Sequence, residues 1–88
     1  MSFKQRGEEL RNSLKKLVYE YMLSKDECKN FNDGMKQSVI FRECGMDWGE
    51  KENCTSSNQQ YWILAILREL EEEGKVQRDI ISKKWRLK

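Results

Sequence analysis

Apolar residues recur along the first quarter of the chain with the spacing of a helix. Leu10, Leu14, Leu17, Val18, Tyr21 and Met22 form one stripe, while Arg11, Lys15 and Lys16 lie off it. Glu8 and Glu9 stand in the N-terminal turns, where the helix dipole favours negative charge. This spacing predicts a first helix from about Lys4 to Leu23. Ser24 to Gly34 is polar and reads as a loop anchored by Phe31. Asp33 is the expected cap of a second helix, Met35 to Cys44, with Met35, Val39, Ile40 and Cys44 on its inner face and Gly45 as its left-handed stop. A second polar loop, Met46 to Thr55, contains Trp48 and Gly49. Ser57 with Gln60, or Ser56 with Gln59, then offers a capping box for a third helix over about 57–73, which Gly74 ends.

Beyond Gly74 the period changes from helical to alternating. Val76 to Ile80 and Lys84 to Lys88 each alternate apolar and polar residues, which predicts a hairpin over 75–88. Val76, Ile80, Trp85 and Leu87 are expected to face the core, and Arg78, Lys84, Arg86 and Lys88 the solvent. The whole chain, 1–88, reads as a single mainly α domain with a small β-hairpin.

Three helices followed by a two-stranded hairpin is the order of a winged helix-turn-helix domain. The stretch Ile63 to Val76 resembles that family's passage from recognition helix into wing, with spaced apolar residues, a terminal Gly74 and an apolar residue opening the strand. Lys84-Trp85-Arg86-Leu87 is similar to the ending of many second wing strands. A fainter likeness is to the C-terminal winged helix of methyl-dependent restriction endonucleases. The resemblance implies that the third helix enters the major groove of duplex DNA while the hairpin follows the phosphates.

Charge fits that implication. The net charge is only +2, but residues 75–88 hold six basic residues against Asp79 alone. This is a localised cationic footprint on a mildly acidic body. Arg78, Lys83, Lys84, Arg86 and Lys88 are the expected phosphate contacts. Ser56, Ser57, Asn58, Gln59 and Gln60, at the start of the third helix, are the expected base readers, since Asn and Gln amides can bond adenine N6 and N7 together.

Two features point elsewhere. The third helix is apolar nearly all round from Tyr61 to Leu67, and it carries Glu69, Glu71, Glu72 and Glu73 with Arg68 its only cation. The rival reading is a protein-contact or homodimer surface anchored by Phe3, Trp62 and Leu64.

Other chemistry finds little footing. The chain has no His, no phosphate-binding glycine loop and no dinucleotide fingerprint, so no catalytic residue and no cofactor is expected. Ser13-Leu14-Lys15-Lys16 matches a penicillin-recognising pattern only by chance, since its companion motifs are missing. Cys28, Cys44 and Cys54 are spaced too widely for a zinc site, so no metal is expected. An odd cysteine count argues for reduced thiols, and the charged first nine residues do not form an export signal. The longest apolar run, seven residues, is far below the ~20 a membrane span needs. A cytoplasmic protein is the expectation.

Overall fold

The computed structural model describes all 88 residues, Met1–Lys88. Its elements are α1 (Phe3–Leu23), a single 3-10 turn (Asp26–Cys28), α2 (Gln37–Glu43), α3 (Ser56–Glu72), β1 (Val76–Arg78) and β2 (Trp85–Leu87). The fold is mainly α, with the small hairpin packed against three helices, an order compatible with a winged-helix arrangement.

α1 begins in a capping box. Ser2 Oγ accepts from the Gln5 amide (3.1 Å) and Gln5 Oε1 accepts from the Ser2 amide (2.9 Å). Only the second half of its apolar stripe reaches the core. Val18 and Met22 are fully buried and Leu14 and Tyr21 partly so, whereas Leu10 is 67% exposed and Leu17 is exposed too. The first two turns therefore project past the body.

α2 starts later than expected. Asp33 does not cap it; Lys36 holds the cap position and makes no side-chain bond there. Met35 is instead committed to the sheet. Its amide donates to the Trp85 carbonyl (2.8 Å) and its carbonyl accepts from the Trp85 amide (2.9 Å), adding a one-residue bridge to the outer edge of β2. Gly34 makes this possible at φ +92°, since a Cβ there would lie 2.7 Å from the Trp85 carbonyl oxygen.

α2 and α3 end alike. Gly45 and Gly74 adopt left-handed φ of 72° and 77°. The amide two residues past each helix cap, in Met46 and Lys75, returns to the carbonyl of Phe41 and Leu70 respectively (both 3.0 Å). α3 itself is capped by Thr55, whose Oγ1 accepts from the Asn58 amide (3.3 Å). Neither expected capping box forms.

β1 and β2 are antiparallel, with Val76 opposite Leu87, Gln77 opposite Arg86 and Arg78 opposite Trp85. Val76, Trp85 and Leu87 are buried as expected. Ile80 is not: it is 83% exposed, because β1 stops at Arg78 and Asp79 turns the chain. Trp85, fully buried, is the largest core side chain and belongs to one cluster with Met22, Cys28, Met35, Ile63, Leu67 and Leu70. No helix is long and apolar enough to cross a membrane.

Candidate functional site

The N-terminal end of α3 is built around Gln59. This residue is one turn before Ile63 and in phase with Ile66, Leu67 and Leu70, so it shares the buried face and is 5% exposed. Its Oε1 accepts from the Trp48 amide (2.8 Å), and its Nε2 donates to the carbonyls of Gly49 (2.8 Å) and Cys54 (3.2 Å). The amide is saturated inside the protein, holding the 46–55 loop against the helix. Gln59 thus cannot present its amide to a base, contrary to expectation, and its phase with the buried stripe was the signal that could have shown it.

Ser56 is also committed inward. Its Oγ donates to Asp47 Oδ1 (3.0 Å) and its amide donates to Glu50 Oε1 (3.0 Å). Two carboxylates therefore occupy the positive end of the α3 dipole, a position at which they repel phosphate. Of the five expected base readers, Ser57 and Asn58 are exposed and Gln60 is partly so, and none of the three spends its side chain on an internal hydrogen bond. Tyr61, exposed beside them, went unnoticed in the sequence because it opens an apolar run.

Farther along α3, Trp62 is half-buried and meets Phe41 of α2 edge-on, with ring centroids 5.7 Å apart. Leu64 is likewise half-buried against the core. Of the three expected interface anchors, Phe3 alone is fully open, at 85% exposure. The acidic end of the helix turns toward α1. Glu69 lies 3.8 Å from Arg11 and 3.6 Å from Lys15, while Glu73 pairs with Lys15 and, at 3.4 Å, with Lys75. Hydrogen bonding to Glu73 holds the Lys15 ammonium above its ordinary range, and the same bond holds the Glu73 carboxyl below its own.

Arg68 points the other way. Its guanidinium lies 5.3 Å from the centroid of the Trp85 ring system and bonds Glu71 Oε1 (3.0 Å). Arg78 reaches the same ring from the hairpin, also at 5.3 Å. Its register opposite Trp85 puts it on the core side of the strand, not on the outer face as expected, and its Nε donates to the Lys83 carbonyl (3.1 Å). The side chain covers Trp85 and braces the turn.

The remaining expected cations divide between two sides. Arg86 stands on the outer face opposite Gln77, 3.5 Å from Asp79 Oδ1. Lys84 lines a polar cleft with Asp26, Glu27, Asn32 and Asp33. Lys83 is exposed at φ +66°, and Lys88 is exposed at the chain end. Asp79 fixes the turn: its Oδ2 accepts from the amides of Ser82 (2.7 Å) and Ile81 (3.1 Å), and the Ser82 bond leads the effects that lower its pKa.

The arrangement offers free hydrogen-bonding groups at Ser57, Asn58 and Gln60, one cation on α3 (Arg68, paired with Glu71), and the remaining cations on the hairpin. No three Cys, Asp or Glu side chains converge where they could hold a metal ion. Among known proteins, no family model, no curated protein and no solved structure matches this chain.

Proposed function

We propose that this chain binds duplex DNA as a winged helix-turn-helix module, with the open side of α3 in the major groove and the hairpin on the phosphates. One observation carries the reading. Arg68 of α3, itself bonded to Glu71, and Arg78 of the hairpin converge over the buried Trp85 ring, so helix and wing meet at two guanidinium groups. Of the four acids of α3 that weigh against DNA, Glu69 and Glu73 are neutralised from α1 and by Lys75, Glu71 is bonded to Arg68, and Glu72 is exposed with no ion pair.

The carboxylates at the start of α3 shift the docking geometry. Phosphate contact belongs to the Arg68 end and to Lys83 and Lys88, while Ser57, Asn58 and Gln60 supply the base-facing groups. Lys84 and Arg86 contribute from the outer face of the wing.

A gel-shift series across ionic strength, using random-sequence duplex, tests this. Replacing Arg68 and Lys83 together by Gln weakens low-salt binding about ten-fold or more and flattens the log–log salt slope by about 1.8, at roughly 0.9 per lost phosphate contact. Unchanged affinity and slope would remove this surface from the function. Asn58→Ala with Gln60→Ala leaves random-duplex affinity intact while erasing preference among selected sequences.

A second reading, self-association through α1, is favoured by one observation: Phe3, Leu10 and Leu17 repeat at seven-residue spacing on an exposed stripe. Sedimentation separates the two, since a salt-indifferent dimer without DNA affinity supports association alone.

A further inference from the structure

Ile80 and Ile81 stand at the turn between β1 and β2 with 83% and 91% of their surface in water. Two adjacent branched aliphatics left so open on a small domain are an unmet burial, and such exposure marks a contact surface. The turn that carries them is not a loose tip. Asp79 accepts from the Ile81 and Ser82 amides, its own amide donates to the Lys84 carbonyl (2.9 Å), and the Lys83 amide donates back to the Asp79 carbonyl (3.0 Å). Arg78 adds its bond to the Lys83 carbonyl. Six residues are thereby locked in one shape, with the two side chains held outward.

The surroundings of this tip select its partner. Arg78, Lys83, Lys84 and Arg86 flank it in sequence: Lys83 is exposed, Arg78 lies over Trp85, Lys84 lines the cleft with Asp26, Glu27 and Asp33, and Asp79, the acid of the turn, has both carboxylate oxygens engaged. An apolar point flanked by cations on both sides of the turn fits a target that is anionic at its rim and apolar within, as stacked bases are between two phosphate rails. Position agrees with chemistry. Ile80 follows Arg78 by two residues, at most about 7 Å of chain, so the tip adjoins the Arg68 and Arg78 guanidinium groups over Trp85.

We infer that Ile80 and Ile81 form an apolar wedge that enters the minor groove beside the α3 site and opens a base step there. The inference rests on the duplex-binding reading. Apolar side chains inserted between base steps kink DNA by about 20–90° toward the major groove. Pyrimidine–purine steps unstack most easily, so the wedge favours duplexes with TpA steps over A-tracts.

The test uses the full chain and end-labelled duplexes of about 30 base pairs, one carrying TpA steps and one an A-tract, read by energy transfer between the ends. The wild-type chain brings the ends of the TpA duplex closer and affects the A-tract duplex less. The Ile80→Ser, Ile81→Ser double variant folds normally, because neither side chain is packed, and binds the TpA duplex within about five-fold at low salt while leaving its ends at the free-DNA distance. If the wild-type chain binds without drawing the ends together, or the serine variant bends DNA equally, the wedge is refuted and duplex binding stands. If the wild-type chain binds neither duplex at low salt, both proposals fall. Vesicles containing phosphatidylserine form the control: binding to them that depends on the isoleucines, with no DNA bending, assigns the tip to a lipid surface and overturns the wedge.

Discussion

Gln59 illustrates how a polar side chain becomes structural. Its amide offers one acceptor and two donor hydrogens, and all three are used by the Trp48 amide and the Gly49 and Cys54 carbonyls. Replacing it by Leu keeps the volume but removes the partner of the Trp48 amide and of the Gly49 carbonyl, and one of the two donors to the Cys54 carbonyl, which Lys51 also reaches. Gln59→Leu should lower stability by about 1 to 3 kcal/mol, seen as a fall in Tm of several degrees by circular dichroism. Gln59→Glu tests the polarity of the bonds: the acceptor survives, yet a second oxygen faces two carbonyls, so this variant should also be destabilised. A Gln59→Glu protein as stable as wild type would show that the amide does not hold the loop. The three cysteines form a second contrast. Burial pushes the Cys44 thiol up to about 11 and raises Cys28 as well, whereas Cys54 is exposed on the loop. A thiol-specific chromogenic reagent near pH 8 should titrate one cysteine fast in the native protein and all three in denaturant, with Cys54→Ser removing the fast phase.

The elements that the sequence discloses well are those whose signals are local. The α1 and α3 helices and the stops at Gly45 and Gly74 all depend on neighbours within a few residues, and each is found where the spacing puts it, although Leu10 and Leu17 of the α1 stripe stay exposed. The start of α2 was not legible, because Met35 is drawn out of the helix by Trp85, fifty residues away. The hairpin was half legible. Once Val76 faces inward, the two-residue period turns Arg78 inward as well, so its place over Trp85 follows from the same alternation. Where the strand ends is a different matter: Asp79 captures the turn amides and leaves Ile80 outside. The candidate site suffered most, since whether an amide faces the loop or solvent depends on how the loop folds back. Gly34 is where the Met35 bridge can be tested. Gly34→Ala meets both a left-handed backbone and the Trp85 carbonyl at 2.7 Å, and should cost more than about 2 kcal/mol. Gly7→Ala is the internal control. It lies mid-helix in α1 with nothing within 4 Å of the new methyl, and should gain about 0.5 to 1 kcal/mol. Denaturant unfolding of the two variants should move the midpoint in opposite directions, and a shift of the same sign would contradict the bridge.

At the scale of the molecule, charge and packing divide the protein into a cationic side and a clamped side. On the clamped side, Arg11, Lys15 and Lys75 fasten α1 and the start of the hairpin to the acidic end of α3. The raised Lys15 pKa means its contribution is complete below the ordinary lysine range and fades as pH rises through the raised value. The lowered Glu73 pKa means its contribution is complete above the ordinary carboxylate range and fades as pH falls through the lowered value. The clamp therefore holds across the whole neutral range. It also sets where α1 stops mattering to the fold: Arg11 is the first residue of the helix with an ion pair to α3, and of the nine residues before Leu10 none is buried. An isolated helical end is held by its capping box and by propagation from the docked turns, neither of which needs the core. Removing residues 1–9 should thus leave cooperative unfolding and shift Tm by no more than about 4 to 8 °C, the equivalent of 1 kcal/mol in a domain of this size, while far-UV ellipticity falls by the share of the deleted turns. Duplex binding should persist, because Arg68, Arg78 and the wing lie elsewhere. A deletion that unfolds the chain at low concentration would show that the projecting turns are covered by a second copy in solution, and sedimentation of the full chain would then give a dimer.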